Sequence, residues 1–401
     1  MLIIPNPDYR LNPRRAIYVT GELNDDLVAQ LTPRILHLQS ESRDPICVYI
    51  NSPGGYPRSA EALLNLLRLS NQDIAESCRI ITAVTVQAAS AAADLLASGD
   101  YAIAFPKSTI LHHGLRQLSG APSTLESTGR LNEALRISNS MYAMQLAKRS
   151  EERFTFRFYN VRNEFASVRE KDGNPNLSDY DCFVRVIREK LSPDAKKIFE
   201  KVVKRAERYK ALINSVAEGA GLAEAETPTQ IQAAIIKAII DFEVSAANSA
   251  DAQDFLFGGM RRLAEDFYLL NEYVRNTNEK LDEWCRTLGR LFLSPEQEVE
   301  IDGITDMEER SNRLVEINKP ILQPMLSFFI ALCHALQEGE NELTATDAYW
   351  LGLVDEVVGD DDLWNLRLLY EFEDEEEKAE PHGEESAGAE GTGEGTENTG
   401  A

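Results

Sequence analysis

Short apolar runs alternate with longer amphipathic stretches over the first part of the chain. Ala16-Ile17-Tyr18-Val19, Ile46 to Ile50, Ile80 to Val84, Tyr101 to Phe105 and Thr109 to His113 are brief, rich in apolar and β-branched residues and bounded by turn formers. That is the pattern of buried strands. Asp26 to Gln39 and Ser59 to Asn71, lying between them, read as helices. The alternation predicts βαβ units, and therefore a mostly parallel sheet with helices on its faces. After Ser90, the run Ala91 to Ala97 has high helix propensity and stops at Ser98-Gly99-Asp100. Ser90 therefore falls at a helix N-terminus.

From Thr124 to about residue 338 the pattern is helical. A long helix is expected from Thr124 to Lys148. Ser192 supplies an N-cap before Pro193 and Asp194, and Gly219 closes that helix. Thr227-Pro228 opens another, with Ile231, Ile235, Ala238, Ile239 and Phe242 on one face, and a third pattern runs from Ala252 to Leu288. A structureless connection of this length is improbable in a compact chain. Residues 151–325 are therefore read as an inserted helical domain that divides an α/β domain into residues 1–150 and 326–360. Residues 361–401 form an acidic tail. From Glu371 onward it holds twelve acids and one Lys, supplies −11 of the charge, and is expected to be disordered. The tail reads as solubilising, or as docking on a basic cluster of Lys196, Lys197, Lys201, Lys204, Arg205 and Arg208.

A net charge of −25 on 401 residues argues against nucleic acid, whose phosphates require a basic surface, and is the wrong sign for anionic membranes. The 43% apolar content is ample for a core. No apolar run reaches the ~18 residues of a membrane span, and Met1 to Pro7 lacks the features of a signal peptide. Cys47, Cys78, Cys182, Cys285 and Cys333 are scattered and read as reduced core thiols. A cytoplasmic location is the expectation.

Three segments carry candidate chemistry: the turn Asn51-Ser52-Pro53-Gly54-Gly55 after a strand, Gln87-Ala88-Ala89-Ser90-Ala91, and Pro106 to His113. A serine hydroxyl needs a positioned base to take its proton and donors to hold the oxyanion that forms. A glycine turn admits a substrate backbone closely, and a helix N-terminus favours negative charge. His112 and His113 point to opposite faces of an extended segment, so only one can serve Ser90.

Together these segments resemble the proteolytic subunit of the Clp protease, over residues 15 to 150 and again near 340 to 358. The resemblance implies an α/β fold of the Clp/crotonase type and peptide cleavage through an acyl-enzyme. It assigns Ser90 as nucleophile, His113 as base, and the N–H groups of Gly55 and Ala91 as oxyanion donors. Counting back from Gly352-Leu353-Val354-Asp355 puts Glu340 at the position of the orienting acid, with Asn341 beside it. A weaker echo, Phe292 to Glu296, would put Arg290 there, which cannot orient a histidine. Val86 and Ala92 stand where the family carries glycines, and Pro57 removes an N–H that could pair with a substrate. The resemblance further implies peptide or unfolded-protein substrates, a homo-oligomeric ring, an AAA+ ATPase unfoldase as partner, and no metal or organic cofactor. By the same resemblance the helix from Thr124 to Lys148 corresponds to the one that joins two rings, and the insertion after it leads us to expect a single or altered ring. A catalytically silent scaffold subunit and a crotonase-type acyl-CoA enzyme are the rival readings.

Overall fold

The computed structural model describes residues 11–69, 77–116, 124–219 and 289–359, with isolated positions between 230 and 286 and Leu363. The helices expected from Thr227 and from Ala252 to Leu288, and the acidic tail from Glu371, lie outside the described residues, apart from those isolated positions.

The first part is built from β1 (Ala16–Thr20), α1 (Asp25–Glu41), β2 (Ile46–Ser52), α2 (Pro57–Leu67), β3 (Ile80–Ala89), α3 (Ala91–Ala97), β4 (Tyr101–Ala104) and β5 (Thr109–His113). Every strand and helix expected here is present, within a few residues at its ends. Asn24 caps α1 by accepting from Leu27 N, and Asp25 and Asp26 in the first turn match the helix dipole. Pro57 opens α2, in the first turn, where a missing N–H breaks no helical bond. Its structural role is thus to start a helix.

The helical part comprises α4 (Leu125–Val161), α5 (Phe165–Asp172), α6 (Asp179–Lys190), α7 (Pro193–Gly219), α8 (Pro295–Gly303) and α9 (Met307–Leu336). The chain then returns through β6 (Glu340–Thr344), α10 (Ala345–Trp350) and β7 (Glu356–Val357). The expected boundaries at 150 and 325 fall inside α4 and α9, neither of which breaks there. One apolar cluster runs from Ile17, Val48 and Val84 through Phe154 and Phe158 to Phe328 and Phe329, so the helices share the core of the sheet. α9 is long and apolar enough, by length and composition, to cross a membrane, against the expectation that no segment is. Most of its apolar stretch is buried in this shared core.

The sheet has seven strands among the described residues. β1, β2, β3, β4 and β7 lie side by side and parallel, while β5 pairs parallel with β3 and antiparallel with β6. The long β3 serves two neighbours: Ile81 to Val84 pair with β4, and Gln87 to Ala89 pair with β5. Its far end is therefore flanked by β2 on one side and β5 on the other.

Two arginines of α4 fasten the returning segment. Arg153 Nε contacts Asp355 Oδ2 at 2.6 Å, and its other nitrogens donate to Ala97 O and Gly99 O. Both charged groups are buried, at 6% and 7% side-chain exposure, so each requires the other. Arg157 lies over the Tyr349 ring, 3.2 Å from its centroid, and donates to Tyr349 O. All five cysteines are buried thiols.

Candidate active site

The ends of β2, β3 and β5 and the start of β6 bring the expected site residues to one edge of the sheet. β2 passes into its turn through a register shift between Ile50 and Ser52, and Ser52 pairs with Ala88. Ser52 Oγ accepts from Gly54 N at 3.1 Å and donates to Gly21 O at 2.6 Å. Leu23 N donates to Gly54 O, and Tyr56 N donates to Leu23 O, each at 2.8 Å. These bonds lay the turn directly on Ser90. A side chain at Gly54, with φ at 93°, would come within 2.5 Å of Ala89 O and 2.6 Å of Ser90 Cβ. One at Gly55 would run into the Leu23 carbonyl. Only glycine fits either position.

Ser90 is the sole non-glycine residue with positive φ among the described residues, at φ 57° and ψ −128°. The sharp bend follows from its position. Ala89 still belongs to a strand and Ala91 already belongs to a helix, and Ser90 N remains tied to Leu111 O at 2.8 Å. Such a conformation costs ~1–3 kcal/mol and persists because both flanking elements are held. The N–H groups of Gly55 and Ala91 find no acceptor among the described residues. They are two unpaired donors beside a half-exposed serine, which is what a developing oxyanion requires.

On β5 the two histidines part as strand alternation demands. His112 shares the inner face with Ile110 and is 2% exposed, whereas His113 is half-exposed on the outer face. His113 Nδ1 lies 2.7 Å from Gly114 O. A carbonyl only accepts, so Nδ1 carries a hydrogen, and in the neutral ring Nε2 then holds the lone pair, the tautomer a general base needs. No hydrogen bond joins Ser90 Oγ to His113 in this conformation.

Across the β5–β6 ladder, His113 pairs with Glu340 and His112 with Asn341. Directly paired residues share a face, so Glu340 lies on the side of His113. Asn341 is turned inward, where its Nδ2 donates to Ala335 O, Leu336 O and Glu338 O at the end of α9. The expected bond from Glu340 to His113 is nonetheless absent. Glu340 Oε1 is held at 2.5 Å by Arg116 Nη2, and the Gly114 carbonyl occupies His113 Nδ1 instead. A guanidinium on the same exposed edge holds the carboxylate in a charge-assisted pair in place of the imidazole. Arg290 pairs with Asp302 and takes no part in the site.

Behind the serine, Asp94 in the first turn of α3 reaches His112, with Oδ1 and Nδ1 3.9 Å apart and neither atom hydrogen-bonded. Burial pushes the Asp94 carboxyl up to about 6, against a smaller lowering by Arg149. Burial, together with His113, holds His112 down to about 4. The contact is therefore not an ion pair at neutral pH. His112 is a buried histidine, but Nδ1 is left without the partner expected of a structural one. Val86 is 57% exposed at the rim, and Ala92 is fully buried in α3.

Arg116 and Asp94 were not singled out in the sequence. Arg116 follows His113 by three positions, and Asp94 follows Ser90 by four, one helical turn. Each is visible as a spacing once the strand and the helix are assigned. No group of three or more His, Cys, Asp or Glu among the described residues is placed to hold a metal.

Residues 6–170 match the Clp protease family. An ATP-dependent Clp protease proteolytic subunit of Carsonella ruddii (strain PV) is 33% identical over 119 residues, which are 29% of this chain. The chain spans about 58% of the length of that relative. The family match over residues 6–170 covers the βαβ units, the glycine turn, Ser90 and His113, with strands β1 to β5. Residues 6–170 of this chain are thus similar to the Clp protease family, and carry most of the parallel sheet of the α/β part.

Proposed function

We propose that this chain is a serine-type peptidase that cleaves peptides or unfolded proteins through an acyl-enzyme. The observation that carries this reading is Ser90, bent at a strand–helix junction between two unpaired N–H donors, with a histidine on the neighbouring strand whose Nδ1 faces a backbone carbonyl. Ser90 Oγ attacks the scissile carbonyl carbon while its proton passes to His113 Nε2. The carbonyl oxygen becomes an oxyanion held by the Gly55 and Ala91 N–H groups. The C–N bond then breaks, and His113 returns the proton to the leaving amine. Water repeats the sequence on the ester and frees Ser90. The resting arrangement requires two changes first: rotation of Ser90 or His113 into hydrogen-bond contact, and exchange of Glu340 from Arg116 to His113 Nδ1. By resemblance, we place the subunit in a cytoplasmic homo-oligomeric ring, single or altered, fed by an AAA+ ATPase unfoldase. A native mass corresponding to an ordinary double ring overturns the altered-ring part.

A second reading, a catalytically silent scaffold subunit, draws on the missing Ser90–His113 bond and on the Arg116–Glu340 pair. Intact-mass analysis after fluorophosphonate treatment separates the two. One adduct on the parent, absent from Ser90→Ala and His113→Ala, supports the peptidase. No adduct on the assembled protein, under conditions that fully label an ordinary serine protease, supports the scaffold.

A further inference from the structure

A cavity of about 420 Å³ opens beside the His113 edge. One wall is a face of α4, where Asn132, Arg136 and Asn139 recur at helical spacing. The opposite wall is the β5–β6 edge, with Gly114, Arg116 and Glu340. The end of α9 forms the floor with Glu338. Gly114 follows the candidate base directly, and Glu340 is paired across from it, so the cavity adjoins the reacting edge.

The cavity is lined by two arginines and two glutamates, but both glutamates are already held, one of them by Arg205 from outside the lining. Glu340 is paired with Arg116 at 2.5 Å, and Glu338 with Arg205 at 2.6 Å. The carbonyls that give the end of α9 its negative character are taken up by Asn341 Nδ2. Asn139 is also committed, its Oδ1 accepting from Leu115 N at 2.7 Å. Arg136 remains: a half-buried guanidinium with no carboxylate at ion-pair distance among the described residues. In a chain of net charge −25, an uncompensated arginine facing a cavity is the reverse of what average composition provides. A guanidinium offers a planar fork of donors that a carboxylate fills with two parallel hydrogen bonds.

We propose that this cavity is a specificity pocket for an acidic side chain of a peptide substrate, with Arg136 as its recognition residue. The proposal rests on the peptidase reading for the identity of the ligand as a substrate, while the pocket itself is testable without catalysis. The carboxylate enters beside Gly114, pairs with Arg136, and so places its own backbone along the His113 edge. Arg136 acts by binding and takes no part in bond breaking.

The test uses the full-length Ser90→Ala protein and fluorescent alanine-based peptides carrying one Glu at each position in turn, each with Gln and Lys counterparts. Fluorescence anisotropy at physiological salt reads the Glu/Gln affinity ratio. The expected result is one position at which Glu is preferred about tenfold, equivalent to about 1.4 kcal/mol. The preference collapses to near unity in Arg136→Gln and inverts toward Lys peptides in Arg136→Glu, with circular dichroism unchanged. A ratio within twofold at every position, a ratio unaffected by Arg136→Gln, or no peptide binding up to millimolar concentration overturns the proposal. Fluorophosphonate labelling of the parent is read separately. A Glu preference without labelling removes the peptidase reading and keeps the pocket, whereas labelling without a Glu preference does the opposite.

Discussion

Replacing Asp94 with asparagine should stabilise this protein at neutral pH, although it removes a carboxylate that sits next to a histidine. Asp94 is raised from 3.8 to about 6, chiefly by burial, and its side chain is 21% exposed. A group raised in this way contributes stability below its unfolded pKa and loses it as pH rises through the folded value. The rise from 3.8 to about 6, at about 1.36 kcal/mol for each tenfold change in proton affinity, makes the ionised form unfavourable by ~3 kcal/mol above pH 6. Asparagine keeps the shape without the charge. In guanidinium denaturation followed by circular dichroism, Asp94→Asn should lead the parent by ~2–3 kcal/mol at pH 7.5, and the lead should shrink to nearly nothing by pH 3.8. His112 has the opposite sign. Lowered from 6.5 to about 4, it contributes stability above 6.5 that is lost as pH falls through 4. In the parent the two trends oppose each other between pH 4 and 6. Asp94→Asn uncovers the His112 trend, so the variant should lose stability more steeply than the parent across that window. A variant less stable than the parent at pH 7.5, or a difference that does not narrow on acidification, would refute the reasoning.

The other expectations concern the bend, the anchor and the pair at the acid. Ser90→Gly relieves the positive φ and should raise stability by ~1 kcal/mol in thermal melts while abolishing fluorophosphonate labelling; a loss of stability would show that the bend is unstrained. Arg153→Met leaves Asp355 buried without its cation and should cost ~3–5 kcal/mol. Adding Asp355→Asn should recover at least ~1 kcal/mol of that by removing the uncompensated charge, and simple additivity of the two losses would count against a coupled pair. The Arg116–Glu340 pair is exposed, at 55% and 66%, and is worth up to ~1 kcal/mol. Arg116→Gln should therefore speed labelling of Ser90 by roughly two- to fivefold, and an unchanged or slower rate would mean that Glu340 does not orient His113.

Local sequence patterning determined the strand and helix order up to His113, because short β-branched runs and capped amphipathic stretches have few other solutions. It also placed Ser90 at a helix N-terminus and, through alternation along β5, separated the face of His113 from that of His112. The family resemblance, counted back from the Gly352 turn, implied Glu340, and the antiparallel register of β5 with β6 puts it directly opposite His113. What local pattern could not hold is contact between distant segments. The Arg116 guanidinium reaches Glu340 from a position 224 residues away in the chain, and that exposed contact decides the present state of the acid. Nor could the pattern show that α4 and α9 run unbroken into the sheet's core, since Phe154 stacking on Phe329 and Arg153 meeting Asp355 depend on two parts of the chain arriving together. The sequence supplied residue types and spacings, which act within a strand or a turn of helix. Only the tertiary structure decided which charges meet, because pairing depends on distance in space, and a chain of 401 residues offers each arginine many carboxylates to choose from.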